Sequence, residues 1–171
     1  MTQAHSPRAL PDRALTEAQL DALLASVGVP LTDAAPNGVP MPLADFNVPC
    51  GFPSPASDFA VDDIDLAEEL CPHPESCYVL RAGGDSMIDA GIAPGDLIVV
   101  DRSQDARSGD IVLAIVDGAF TVKRFRLVKG RPELHSENAA ANYPTIRPTE
   151  FDGFQIVGVI VSSMKKFRRR Y

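Results

Sequence analysis

The stretch "GDIVLAIVDGAFTVKRFRLVKG", residues 109–130, decides the fold. Two runs of strand length, the first rich in β-branched residues, flank Asp117-Gly118. An Asp-Gly pair in that position is the strongest short-range signal for a two-residue hairpin turn of type I′. Lys129-Gly130 marks a further turn before "RPELHS". Upstream, "YVLRA" (78–82) alternates and "DLIVVD" (96–101) is a short apolar run. Downstream, "FQIVGVIVSSM" (154–164) reads as a last, buried strand. The back half of the chain is therefore expected to be mostly β, with few short helices.

Side chains on a strand alternate between faces. On the second strand of the hairpin, Thr121, Lys123, Phe125 and Leu127 share one face. Arg124 and Arg126 lie on the other and must reach water. Lys123 is thus expected to point with Phe125 and Leu127 toward the core. Burial disfavours the ammonium form, and a neutral lysine amine is a competent general base. The same parity also fits a lysine that snorkels from a strand edge.

A base would serve Ser86, in "AGGDSMIDAG" (82–91). Gly83, Gly84 and Gly91 let the backbone turn sharply there and expose the hydroxyl. The amides of Asp85, Ser86 or Met87 are placed to face a developing oxyanion. The three histidines, His5, His73 and His135, have no sequence reason to sit beside Ser86, whereas Ser–Lys pairs are an established way to activate a hydroxyl. Taken alone, "GDSM" is equally a polar turn whose serine caps a helix.

The front half reads differently. "LTEAQLDALLASVGVP" (15–30) has a capping box in Thr16 and Gln19, and Leu20, Leu23, Leu24 and Val27 fall at helical spacing. The helix is expected to pack on the main domain, with a detachable partner-binding element as the other reading. Seven prolines between 30 and 55 then exclude a helix and define an extended arm. "VDDIDLAEEL" (61–70) is expected to form one short helix, started by Asp62 or Asp63.

The net charge is −7, although "KKFRRRY" (165–171) holds five of the sixteen basic residues. So acidic a body is not a bulk nucleic-acid binder, and the tail reads as solvated. Three cysteines, Cys50, Cys71 and Cys77, argue against a disulfide framework and for a reducing compartment. Cys71, His73 and Cys77 lack the fourth ligand of a structural zinc site, so neither metal nor cofactor is expected. The N-terminus has no signal-peptide core, and "FQIVGVIV" is too short to span a bilayer. A cytoplasmic location is expected.

"CGFPSPASDF" (50–59), "YVLRAGGDSMIDAGIAPGDLIVVD" (78–101) and "GDIVLAIVDGAFTVKRF" (109–125) together resemble the UmuD-like branch of the LexA-type self-cleaving serine peptidases. The likeness is strong from about Pro49 to Phe125 and looser to about Met164. It implies a mostly-β, LexA/UmuD-type peptidase domain, usually dimeric, behind a proline-rich N-terminal arm. It implies Cys50-Gly51 as the bond cut, Ser86 as nucleophile and Lys123 as general base. It also implies RecA-filament-stimulated autocleavage on single-stranded DNA. The shortened product would then join a UmuC-like Y-family polymerase in error-prone translesion synthesis. The resulting organisation is an arm at 1–50 that is removed, a peptidase domain at 51–164 and a basic tail at 165–171. Prolines on both sides of Cys50-Gly51 hold that segment extended, as a protease cleft requires.

The helix before the arm has no counterpart in that branch. Residues 1–50 are too short and proline-rich for a helix-turn-helix, which argues against sequence-specific DNA binding by a repressor. A polymerase-binding accessory module that never cuts itself is the competing reading. A signal-peptidase-like enzyme is disfavoured by the lack of an anchor.

Overall fold

The computed structural model describes residues 15–27, 29–30, 41–44, 61–71, 73–149 and 152–167. Residues 1–13, most of the proline-rich arm with Cys50 and Gly51, and residues 168–171 of the tail lie outside the described residues.

Helix α1 (Glu17–Val27) opens the described chain, followed by the two-residue strand β1 (Val29–Pro30) and by β2 (Met41–Ala44). Strand β3 (Val61–Ile64) leads into helix α2 (Leu66–Leu70). Then come β4 (Cys77–Arg81), β5 (Leu97–Asp101), β6 (Ile111–Val116), β7 (Ala119–Val128), β8 (Arg131–His135) and β9 (Gln155–Met164). Seven strands form one antiparallel sheet in the order β1-β4-β5-β9-β6-β7-β8, while β2 and β3 pair separately. The chain is mostly β with short helices, as expected.

The hairpin forms at Asp117-Gly118, with Val116 opposite Ala119 and φ of 49° and 75° at the turn residues. Lys129 and Gly130, with φ of 52° and 76°, make the next turn in the same way. Positive φ at both positions is what a type I′ turn demands, and its twist matches that of the strands.

Apolar layers cover both faces of the sheet, which explains the unbroken apolar runs of β5 and β6. Ile98, Val100, Leu113 and Ile115 join the larger core with Leu80 and Val157. Their neighbours Val112 and Ala114 join Phe125 and Leu134 behind, and Val99 joins Cys71 and Cys77. The parity argument holds for Lys123 and Phe125, which are buried, but Leu127 is 51% exposed. It lies beyond Phe125, the last β7 residue within the rear core. Phe120 and Val122, on the opposite face, pack against the larger core.

Strand β9 enters late in the chain but sits between β5 and β6, with bulges against both. Gly158 permits this: a Cβ there would stand 2.6 Å from the Asp101 carbonyl oxygen and 2.9 Å from Val100 Cγ1.

The front half departs from expectation in three places. Helix α1 does pack on the sheet, with Leu20 and Leu24 buried and the Thr16–Gln19 capping box formed. The arm, however, supplies β1 and β2, which pair with β4 and β3. Residues 61–64 are strand, so the following helix starts at Leu66 and its cap is Asp65, whose carboxylate accepts from the Ala67 amide at 2.8 Å. Pairing with β2 outweighs the weak helix propensity of the acidic run. Finally, Cys71 and Cys77 form a disulfide, contrary to the expectation of free thiols. The short turn between α2 and β4 brings their Cα atoms to 6.6 Å, within bridging range. With that pairing, the cysteines no longer argue for a reducing compartment.

Candidate active site

Ser86 stands on the loop between β4 and β5. Gly84 turns this loop at φ 78° and Gly91 ends its 3₁₀ turn at φ 83°. Two apolar anchors, Met87 and Ile92, sink into the larger core on either side of that turn. At its far end the loop is tied by the Asp96 carboxylate. This group accepts from the Ala93 amide at 2.8 Å and from Lys165 Nζ at 2.6 Å, and the lysine bond holds it below the usual carboxylate range.

Lys123 reaches this loop from the middle of β7. Its Nζ donates to Ser86 Oγ at 2.7 Å and to the Val122 carbonyl at 3.1 Å. The side chain is buried at 8% exposure, and burial pushes its ammonium below the ordinary lysine range. Nothing in the sequence pattern brings these two residues together; the sheet does. Both border a cleft of about 370 Å³ whose apolar wall includes Leu80, Met87, Leu113 and Phe120. The amides of Asp85, Ser86 and Met87 donate to no acceptor among the described residues. Cys50 and Gly51, the expected scissile pair, lie outside the described residues.

A bracket missed in the sequence holds the serine loop from the other side. The Glu137 amide donates to the Ser86 carbonyl at 2.8 Å, and the Glu137 carbonyl accepts from the Asp89 amide at 2.9 Å. Its carboxylate is gripped by both Nε and a terminal nitrogen of Arg124, each at 2.8 Å. This bond draws Glu137 below and Arg124 above their ordinary ranges. Arg124 follows Lys123 on β7, so one residue pair links the lysine strand to the serine loop. Buried Asn138 donates from Nδ2 to the Asp85 carbonyl at 2.9 Å. Tyr143 donates its hydroxyl to the Asp85 carboxylate, which raises the phenol above its usual range, and its ring lies 5.9 Å from Lys123 Nζ. The only sequence signal for this bracket was a polar cluster after a strand, which is ordinary loop composition.

His73 donates from Nδ1 to Asp101 Oδ2 at 3.0 Å, and the Glu133 carboxylate lies 2.8 Å from His135 Nε2. Neither histidine borders the cleft. No cluster of ligating side chains suited to a metal ion occurs among the described residues. No helix there is long and apolar enough to cross a membrane.

The family model described as Peptidase S24-like matches residues 42–161. The chain is 43% identical over 127 residues to protein SamA of Salmonella typhimurium, covering 74% of this chain and 86% of that one. It is 40% identical over 118 residues to protein ImpA of Escherichia coli, covering 69% and 81%. With the LexA repressor of Syntrophotalea carbinolica it shares 36% identity over 144 residues, covering 82% and 67%.

Proposed function

From the premise that this chain belongs to the Peptidase S24-like family, of the UmuD-like kind, we propose that it cuts itself after Cys50 with Ser86 as nucleophile and Lys123 as base. The observation that carries this reading is the 2.7 Å contact between Lys123 Nζ and Ser86 Oγ beside the cleft. The amine must be neutral to act, and its burial favours that form. Lys123 takes the Ser86 proton as Oγ attacks the Cys50 carbonyl carbon. The amides of Asp85, Ser86 and Met87 face the resulting oxyanion. Collapse breaks the Cys50–Gly51 bond, and the Lys123 ammonium gives its proton to the Gly51 amine. Water, deprotonated by the neutral Lys123 amine, then attacks the acyl-enzyme carbonyl, and the Lys123 ammonium returns the proton to Ser86 Oγ as the Cys50 carboxylate leaves.

Cleavage divides the chain into an acidic piece, residues 1–50, and a body, residues 51–171. The piece carries α1, which covers part of the sheet's larger core. The reading extends to the biology implied by the resemblance. The activator is a RecA filament on single-stranded DNA. The trimmed, dimeric product serves a Y-family polymerase in SOS mutagenesis in the cytoplasm, without sequence-specific DNA binding of its own.

Incubation with RecA, an ATP analogue and single-stranded DNA should yield a product whose N-terminal residue is Gly51. Ser86→Ala should abolish it. Persistence of full-length protein in that assay supports the accessory-module reading instead.

A further inference from the structure

Three separate contacts hold the segment before the cut to the body after it. First, α1 seats Leu20 and Leu24, at 4% and 0% exposure, with Leu15, in the same apolar cluster as Leu80, Ile98, Leu113 and Val157. Second, Arg102, between β5 and β6, pairs with Asp21 of α1 and lies 4.0 Å from Glu17. Third, the main chain before the cut bonds to the body. The Leu15 amide donates to Gln155 Oε1 at 3.1 Å, β1 pairs with β4 through Val29 and Pro30, and β2 pairs with β3 over four residues. In each contact one partner lies before residue 50 and the other after it. Helix α1 also precedes the region matched by the family model, residues 42–161.

We propose that scission leaves a nicked complex: residues 15–44 remain seated on the body as a non-covalent partner. Departure of α1, rather than the cut, then opens the apolar face beneath it. This rests on cleavage at Cys50-Gly51. Cutting breaks a tether but none of the three contacts. Losing α1 would take Leu20 and Leu24 out of the apolar cluster and into water and leave Arg102 without its carboxylates, a cost that favours retention. The tether had supplied an effective concentration on the order of millimolar. Once it is cut, occupancy depends on dilution and on competitors, so the seat becomes a second control point. The occupant it accepts is defined by α1: a helix with leucines four apart and a carboxylate facing Arg102.

The test begins from the full chain and does not need self-cleavage. Full-length protein with Ser86→Ala and a site-specific protease sequence inserted between residues 51 and 60 is purified folded, then nicked. At about 20 µM the two pieces should co-elute in gel filtration and appear as one mass in native mass spectrometry. In the nicked chain, Leu24→Asp should weaken association about tenfold or more. Should that variant fold poorly, Arg102→Glu replaces it, with Asp21→Arg added to restore pairing. Separation of the unmutated pieces, or co-elution indifferent to all these changes, overturns the proposal. Failure of the wild-type chain to cut itself would overturn the cleavage reading and leave this result standing.

Discussion

Lys123 is the residue on which the proposed chemistry turns. Its ammonium lies below the ordinary lysine range because it is buried, so the folded state binds fewer protons there than the unfolded state. Two consequences follow in the same direction. RecA-independent self-cleavage should speed up as pH rises and Lys123 loses its proton, and Lys123→Ala should remove both the cleavage and the rise. A rate flat from mild acid to alkaline pH would contradict a lysine base. The depressed value also means that stability should increase with pH between the folded and unfolded lysine values. Lys123→Met should therefore raise the melting temperature at neutral pH while ending activity. Around it, Arg124 and Glu137 link the lysine strand to the serine loop and, in the proposed mechanism, position it. Arg124→Ala should slow self-cleavage about 10²-fold by misplacing the Ser86 loop, since a displacement of about 1 Å can cost that much. The Arg124→Glu, Glu137→Arg double variant should recover part of the loss. An unchanged single-variant rate would remove the bracket from the mechanism.

At the scale of elements, the two hairpins were legible because their turns are local. Asp117-Gly118 and Lys129-Gly130 sit between strands that already alternate correctly, so each turn specifies its own register. The Thr16–Gln19 cap was legible for the same reason. Strand β3 was not, because its partner β2 lies across residues 45–60 and acidic composition says nothing of that pairing. The insertion of β9 between β5 and β6 depends on one small residue. Gly158→Ala should destabilise the protein by about 1–3 kcal/mol, as overpacking does, because the new methyl meets the Asp101 carbonyl. Urea denaturation should report it as a lower midpoint at unchanged slope; an unchanged midpoint would show that β5 and β9 can separate without cost.

At the scale of the whole molecule, carboxylates with local partners tie distant segments together. Hydrogen bonds hold Asp96 to Lys165, Glu133 to Arg147 and Glu137 to Arg124, and each carboxylate lies below its ordinary range. Burial pushes Asp101 up, but bonds from Ser103, Gln104 and His73 outweigh it. A depressed carboxylate contributes stability above the unfolded value and loses it as pH falls through the folded one. Urea midpoints measured from pH 7 down to about 3 should fall below the normal carboxylate range. A midpoint independent of pH there would show that these bonds contribute little.

The sequence by itself determined strands β4 to β9, the turns between neighbours, and Ser86 and Lys123 as candidates, because these follow from alternation, turn chemistry and burial along contiguous residues. The tertiary structure alone decided that Lys123 meets Ser86, that Glu137 brackets the serine loop, and that Cys71 joins Cys77. The meeting of Lys123 with Ser86, like that of Glu137 with the serine loop, joins segments that the chain keeps apart. It depends on which strand lies beside which, and the pattern of any one segment carries no record of its neighbours.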